Sequence, residues 1–379
     1  MPILRYGSSG AYVQLLQSTL KKLGFYSGAI DGIFGTQTLE AVQYFQREFG
    51  IAPDGIVGNA TWSALTPYLN GSTFDIVPTD IIYPYSIMMM NIRALMAKYS
   101  FLEFSYYGKS VMGKNIPVIK IGKGEKEVFY SAGIHANEWI NSVVFMKFIE
   151  DFAKAYEEDS EIFGYNARNI FDNVSLYIVP MANPDGIDLV LWQLPARSAR
   201  YINARNIASN FPEIPFPDGW KANIVGVDLN LQFPAEWELA REIKYGQGFI
   251  RPAPRDFVGY GPLTEPESIA LYEFTLSHNF SLILSYHTQG EVIFWRYLNF
   301  EPEGAEELGR EFARVSGYIL DDTMETNSYA GYRDWFISSY NKPGYTVETG
   351  LGQNPLPISQ FDEIYKDNLG ILVLGAIIK

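Results

Sequence analysis

An apolar run that ends in a histidine and a glutamate constrains this chain more than any other sequence feature. Residues 127–134 favour a β-strand, and the pattern from Trp139 to about Tyr156 predicts an amphipathic helix. His135 and Glu138 lie where the strand gives way to the helix, which is the edge of an open α/β sheet where ligands bind. An imidazole and a carboxylate at this spacing can bind one cation, and Zn²⁺ is favoured. A lone His-x-x-Glu is a weak motif, however, and a histidine placed there by chance is the alternative.

Two further apolar runs end in residues that would complete such a site. The run at 281–286 ends at His287, and the run at 344–347 ends at Glu348. His287 is the natural third ligand, so that a single Zn²⁺ ion would keep one coordination position open to water. Glu348 should face a partner or a cavity because burial of a carboxylate is costly, and a salt bridge at the rim is the alternative. The third histidine, His278, is interpreted as structural or surface-exposed.

The alternation of strand and helix patterns predicts an α/β fold, a mixed sheet with helices on both faces. A helix is expected first, before any strand of the sheet. Its predicted range is 86–99, and the further predicted strands are 102–107, 116–121 and 174–180.

Composition limits the possible partners and the chemistry of the metal site. The 379 residues suffice for two domains, and no apolar run approaches the roughly 20 residues that span a membrane. Because the chain has no cysteine, a metal must be bound by histidines and carboxylates. The formal charge of −14 argues against a nucleic-acid partner. The first residues lack the pattern of a secretory signal, so the expected location is the cytoplasm or, for a trimmed mature form, the cell wall.

Residues 1–68 predict a small all-α domain that contains a short repeat. The repeat is Ile30-Asp31-Gly32-Ile33-Phe34-Gly35 and Pro53-Asp54-Gly55-Ile56-Val57-Gly58, and each Asp-Gly predicts a tight turn before a helix. Residues 69–80 are predicted to be a linker, and residues 81–379 the larger domain.

The order of residues in the small domain resembles the peptidoglycan-binding domain of bacterial wall hydrolases. This resemblance implies attachment to the glycan or the stem peptides of the wall. The matching stretches are Leu4-Arg5-x-Gly7-Ser8-x-Gly10, Leu23-Gly24-Phe25-Tyr26-x-Gly28-x-Ile30-Asp31-Gly32, Ala41-Val42-x-x-Phe45-Gln46 and Asp54-Gly55-Ile56-Val57-Gly58-x-x-Thr61-Trp62.

The larger domain resembles the zinc carboxypeptidase family of metallopeptidases. The resemblance implies one Zn²⁺ ion bound by His135, Glu138 and His287, with Glu348 as the base in metal-assisted hydrolysis of an amide bond. Further landmarks that match are Asn183-Pro184-Asp185-Gly186, Gly226-Val227-Asp228-x-Asn230, Gly261-x-x-x-Glu265-Pro266-Glu267 and Asp334-Trp335.

The resemblance implies two further roles. The arginine that stabilises the oxyanion in this family follows a tryptophan, and here Lys221 follows Trp220. We therefore assign the role to Lys221, which acts as a point charge rather than as a bidentate fork. For the mobile tyrosine that closes on the substrate, Tyr329 is preferred over Tyr332.

The substrate-binding positions depart from the pattern of the family. Its exopeptidases bind the terminal carboxylate of the substrate with an Asn-Arg pair, but here Asn230 is followed by Leu231. A leucine cannot replace a bidentate carboxylate ligand, so a substrate that continues past the cleaved bond is expected to be tolerated. Arg333 falls at the base of the specificity pocket, where it would select a negatively charged group on the leaving residue. A solvated surface arginine is the alternative.

Together these residues resemble the γ-D-glutamyl-L-diamino acid endopeptidases of spore-forming Gram-positive bacteria. The resemblance implies zinc-dependent cleavage of the bond between γ-D-glutamate and diaminopimelate in peptidoglycan stem peptides. Two alternatives stay open from the sequence, a general carboxypeptidase of unbranched peptides and a catalytically inert wall-binding protein. The sequence does not determine the oligomeric state.

Overall fold

A computed structural model describes residues 1–69, 75–321 and 329–377. The chain divides into two compact units, Met1–Ser100 and Phe101–Lys379. Among the residues described, no helix combines the length and the apolar character needed to cross a membrane.

Two buried glutamines organise the helical repeat of the first unit. Gln17 donates from Nε2 to Asp31 at 2.8 Å, and its Oε1 accepts from the backbone N–H of Gly32 at 2.9 Å. Gln46 makes the equivalent bonds to Asp54 and Gly55, both at 2.9 Å. Each glutamine therefore anchors one Asp-Gly turn to the preceding helix. The helices of this unit are α1 (Ala11–Lys22), α2 (Thr36–Glu48), α3 (Asn59–Leu69) and α4 (Tyr85–Lys98).

Two hydrogen bonds join residues 80–82 to the first helix. Asp80 accepts a hydrogen bond from Ser18 Oγ at 2.9 Å, and the N–H of Ile82 donates to Gln14 Oε1 at 3.0 Å. These contacts join the segment that leads into α4 to the first helix. The compact second unit begins at Phe101, and residues 70–74 of the expected linker lie outside the described residues.

The second unit is built on a mixed eight-stranded sheet, in the part of the chain that the structure describes. The strand order is β1-β2-β6-β3-β7-β10-β8-β9. These strands are β1 (Glu103–Lys109), β2 (Asn115–Ile121), β3 (Lys126–Ala132), β6 (Val174–Val179), β7 (Leu282–His287), β8 (Val292–Phe294), β9 (Ile319–Asp321) and β10 (Gly344–Glu348), and a separate hairpin pairs β4 (Glu161–Ile162) with β5 (Tyr165–Asn166).

The parallel centre of the sheet brings the predicted site residues to one edge. Strands β6, β3, β7 and β10 are parallel neighbours, so their carboxyl ends lie together. Glu348 is the register partner of His287, while Ala132 at the end of β3 pairs with Tyr286. His135 follows β3 three residues later. His278 instead bonds to Glu127 near the opposite end of β3.

Helices cover both faces of the sheet, which confirms the predicted fold class. On one face, Phe129 and Ile283 pack in a core that includes Trp335 and Phe336 from a following helix. On the other face, Tyr130 donates a hydrogen bond to the carbonyl of Leu372 at 2.8 Å. The helices of this unit are α5 (Ile140–Glu157), α6 (Ala167–Asn173), α7 (Pro184–Val190), α8 (Ala199–Ala208), α9 (Trp237–Gly246), α10 (Pro266–Leu276), α11 (Ala305–Ser316), α12 (Tyr332–Tyr340) and α13 (Phe361–Ile377).

Candidate metal centre

Three predicted ligands converge at the carboxyl edge of the sheet. His135 Nδ1 lies 3.0 Å from Glu138 Oε1, and His287 Nδ1 lies 3.0 Å from Glu138 Oε2. The two Nδ1 atoms lie 3.0 Å from each other. All three residues are buried. Within the described residues, they form a group of side chains whose donor atoms could hold a metal ion.

The loop between β3 and α5 presents two of these ligands from a fixed backbone. Gly133 has a φ of +65°, and a side chain there would press on Ser142 and Ile187. The N–H of Ala136 donates to the carbonyl of Lys221 at 2.9 Å. A short 3₁₀ turn, Ala136–Glu138, then places Glu138 one turn from His135. The glycine turn therefore directs both ligands toward His287.

Asp228 is a neighbour of the metal centre that the sequence prediction did not include among the site residues. Its Oδ1 lies 3.2 Å from His135 Nε2, on the opposite side of the ring from the ligand nitrogen. Burial opposes protonation of His135, but the carboxylates of Glu138 and Asp228 outweigh this effect and raise its pKa to about 9. Asp228 lies in the Gly-Val-Asp landmark, which was the available sequence signal for it.

The donor set fits a zinc ion. Two histidine nitrogens and one carboxylate form a common ligand set for catalytic zinc, and ligand atoms that share a tetrahedral zinc lie a little over 3 Å apart, for bonds of about 2 Å. A carboxylate on the far nitrogen of a ligating histidine is the usual support for such a site. Two ring nitrogens that face each other at 3.0 Å are also well suited to share a cation.

Two further charged residues surround the ligands. Lys221 Nζ lies 3.1 Å from a Glu138 oxygen. Burial lowers the pKa of Lys221, but Glu138 and Asp228 raise it above the ordinary value, so it stays positive. Burial raises the pKa of Glu348, and the charge of Glu138 adds to this effect. The site therefore holds a fixed cation and a carboxyl group with an elevated proton affinity.

A smaller cavity of about 130 Å³ adjoins the ligands and contains the predicted substrate-binding residues. Its lining includes Asn230, Leu231, Tyr329 and Arg333, together with His135, His287 and Glu348. Tyr332, the alternative to Tyr329, is buried, and its hydroxyl lies 2.8 Å from that of Thr275. Part of the stretch that precedes Tyr329, residues 322–328, lies outside the described residues.

Arg333 at this cavity is buried rather than a solvated surface residue. It is 8% exposed, and its Nε and Nη2 donate to Asp334 Oδ1 at 3.1 and 2.6 Å. Asp334 also accepts from the N–H of Gly331 at 3.2 Å. The guanidinium is thus held in place by its neighbour, and Nη1 makes no hydrogen bond to any described residue.

A larger cavity of about 670 Å³ shares Glu348 and Phe294 with the smaller one and extends past Lys221. Its volume is in the range of ligand pockets in proteins. Asn137 and Arg255 also line it, and neither was among the residues that the sequence singled out. Arg255 lies in an irregular segment with no periodic pattern, so no sequence signal marked it. Glu348 therefore lies between two cavities.

Comparison with known proteins agrees with the fold and with the ligand set. Residues 88–370 match the family model of zinc carboxypeptidases, and residues 9–65 match that of putative peptidoglycan-binding domains. Because the first match spans most of the chain, the chain belongs to the zinc carboxypeptidase family, and it carries a peptidoglycan-binding domain at its N-terminal side. This confirms the expected family and the expected cofactor.

Two relatives resemble the chain over most of its length. It is 46% identical over 293 residues to Gamma-D-glutamyl-L-diamino acid endopeptidase 1 of Lysinibacillus sphaericus, which covers 77% of this chain and 72% of that protein. It is 42% identical over 299 residues to the uncharacterized protein YqgT of Bacillus subtilis (strain 168), or 78% of this chain and 77% of that one.

A solved structure shows the same fold at low sequence identity. Bovine thrombin-activatable fibrinolysis inhibitor, in complex with tick carboxypeptidase inhibitor, superposes with a TM-score of 0.57 and 18% identity. The match covers 78% of this chain and 96% of that chain.

Proposed function

We propose that this protein hydrolyses the bond between γ-D-glutamate and diaminopimelate in peptidoglycan stem peptides. The observation that carries the proposal is the smaller cavity, where Leu231 replaces an arginine clamp and Arg333 lies beside Asp334. The peptidoglycan-binding domain supports peptidoglycan as the partner. The name of the relative from Lysinibacillus sphaericus supports a γ-D-glutamyl-L-diamino acid linkage as the scissile bond.

The smaller cavity suits the side chain of diaminopimelate. The far end of this residue carries a carboxylate and an ammonium group. Arg333 has a free Nη1 that can donate to the carboxylate, and the neighbouring Asp334 carries a negative charge for the ammonium group. Leu231 is 9% exposed and packs among Trp237 and Val258, so it offers no donor to an α-carboxylate. A substrate that continues beyond diaminopimelate is therefore accepted.

In the hydrolytic step, Glu348 takes a proton from the attacking water molecule as the water oxygen bonds to the scissile carbonyl carbon. The carbon–nitrogen bond then breaks, and Glu348 delivers the proton to the leaving amine. Lys221 balances the negative charge that develops on the carbonyl oxygen. Tyr329, at the rim of the smaller cavity, closes over the leaving residue. His135, Glu138 and His287 would hold a zinc ion, which would supply Lewis acidity toward the carbonyl oxygen and the water molecule.

The direct test is incubation of the purified protein with L-Ala-γ-D-Glu-diaminopimelate in the presence of zinc. Release of diaminopimelate is expected, and the Glu348→Gln variant, which keeps the ligand set, should lose this activity. A protein that binds zinc but releases no diaminopimelate would contradict the proposal.

Two further measurements separate the alternatives. A general carboxypeptidase would cleave a simple peptide acid and reject its C-terminal amide, whereas this protein should not require the free carboxylate. An inert wall-binding protein would lack zinc, so metal analysis after gentle purification should find about one ion per chain if the protein is an enzyme.

A further inference from the structure

Arg255 is a charged group in the larger cavity to which the mechanism above gives no role. The cavity contains it together with Lys221, Glu348 and Glu213. Its side chain is 44% exposed, and among the described residues its only hydrogen bond runs from Nε to Asp256. The two terminal nitrogens of the guanidinium therefore remain available to a ligand. Glu213, which with Glu348 makes up the acidic part of the lining, is exposed to solvent.

Asp256 holds Arg255 in position. One carboxylate oxygen of Asp256 accepts from Arg255 Nε at 2.6 Å, and the other accepts from Lys244 Nζ at 2.6 Å. A guanidinium that is held through Nε still presents its Nη1 and Nη2 edge for a bidentate bond to a carboxylate. Less side-chain entropy is then lost when the ligand binds.

Hydrogen bonds from the backbone on either side of Arg255 connect its segment to residues of the metal centre. The carbonyl of Pro254 accepts from the N–H groups of Lys221 and Ala222 at 2.8 and 2.9 Å. The N–H of Asp256 donates to Asp228 Oδ2 at 3.1 Å, and Asp228 is the residue that contacts His135. The position of Arg255 is therefore fixed relative to Lys221 and to the ligands.

The two cavities meet at Glu348, so each of them would bind the part of the substrate on one side of the scissile bond. If the leaving residue occupies the smaller cavity with Arg333, the acyl part of the substrate passes Glu348 and enters the larger cavity. The acyl residue of a γ-glutamyl bond differs from that of an ordinary peptide in one respect. Its α-carboxylate is free, and only Cγ, Cβ and Cα separate it from the scissile carbonyl. An α-linked residue with a neutral side chain has no carboxylate at that place, whereas an α-linked glutamate keeps its side-chain carboxylate there.

We propose that Arg255 binds this free α-carboxylate and so selects γ-glutamyl residues over acyl residues that carry no carboxylate at this place. The inference rests on the proposed function and adds a recognition site on the acyl side of the bond. Arg255 acts on substrate binding and orientation, while Glu348 and Lys221 act on the reacting atoms.

The test compares two substrates that differ only at the proposed contact. One is L-Ala-γ-D-Glu-diaminopimelate, and the other carries an α-carboxamide on the same glutamyl residue. The kcat/KM of the wild-type protein should be about 10-fold higher for the acid than for the carboxamide, because a charge-assisted hydrogen bond at a partly exposed site is worth about that much. In Arg255→Gln the kcat/KM for the acid should fall to the value for the carboxamide, so that the preference disappears. Arg255→Lys should retain part of the preference. Arg251→Gln removes the same charge from an exposed position nearby in sequence and should leave the preference unchanged.

A binding measurement makes the test independent of turnover. In the Glu348→Gln background, calorimetry should show weaker binding of the acid, but not of the carboxamide, when Arg255→Gln is added.

The outcomes separate the inference from the proposed function. If the wild-type protein cleaves neither substrate, the proposed function fails. If it cleaves both equally, or if Arg255→Gln keeps the preference, the function stands and the inference is overturned. If Arg255→Gln does not fold, equal cleavage of both substrates by the wild-type protein still overturns the inference, and a reduced preference in Arg255→Lys supports it.

Discussion

The stability of the second unit should fall as the pH rises from 5.5 to 8, because Glu267 is buried and forms no ion pair with any cation among the described residues. Its side chain is 2% exposed. One oxygen accepts from the N–H of Val111 at 3.0 Å, and the other faces the amide of Asn223 at 3.4 Å. Burial raises the pKa of Glu267 from the ordinary 4.5 to about 7, and these hydrogen bonds only partly oppose it.

The sign and the size of the effect follow from proton linkage. Between pH 4.5 and 7 the folded protein keeps a proton on Glu267 that the unfolded chain has released, so the free energy of unfolding falls as the pH rises. Each pH unit in this window is worth about 1.4 kcal/mol. From pH 5.5 to 7 the loss is therefore about 2 kcal/mol, and no further loss from this group follows above pH 7.

The assay is denaturant unfolding of the wild-type protein and of Glu267→Gln at pH 5.5 and pH 8. Both values lie above the sequence pI of 4.8. Tryptophan fluorescence reports mainly on the second unit because only Trp62 lies in the first. Glutamine does not titrate, so any change that it makes in hydrogen bonding shifts the free energy of unfolding by the same amount at both pH values. Other ionisable groups act on both proteins alike and cancel in the difference.

The wild-type protein should lose about 2 kcal/mol relative to the variant between the two pH values. Parallel pH dependences would refute the reasoning, because they would mean that the carboxyl group is ionised in the folded protein throughout this range. Asn223 lies two residues after Lys221, so the same measurement probes the support of the loop that carries the candidate oxyanion residue.

Three further predictions concern the metal, the specificity and the packing. Asp228→Asn should weaken zinc affinity by about 10- to 100-fold, measured by competition with a chelator, because it removes the carboxylate behind a ligating histidine. Leu231→Arg should introduce a preference for a free C-terminal carboxylate over its amide, measured as kcat/KM on matched peptides, and equal rates would contradict the role of this position. Gly124→Ala should lower the melting temperature, since the new methyl group would lie 2.0 Å from the backbone of Asn173. Gly246→Ala, which meets nothing within 4 Å, should not lower it.

Most of the metal centre could be read from the sequence because each ligand follows a recognisable strand. His287 and Glu348 end apolar runs, and His135 follows such a run closely. Parallel strands place their carboxyl ends at one edge, so residues far apart in the chain were expected to meet. The predicted range of α5, from Trp139 to about Tyr156, agrees with the observed Ile140–Glu157.

Other features were not predictable because they depend on contacts between irregular segments. Arg255 belongs to a segment whose position is set by hydrogen bonds from its backbone to the backbone of Lys221 and to the side chain of Asp228. No periodicity marks such a residue. The link between Asp80 and Ser18 was not predictable for a similar reason, since it is a side-chain contact across 62 residues.

The sequence by itself indicated the fold class and the ligand set, because strand periodicity and the chemistry of histidine and glutamate are local properties, and the resemblance of its ordered motifs indicated the family. Only the tertiary structure decided which residues share a cavity. It placed Arg333 against Asp334, buried Tyr332 in the core and brought Arg255 beside Lys221. The physical reason is that the walls of a cavity come from loops, and long-range hydrogen bonds rather than local propensity set the course of a loop.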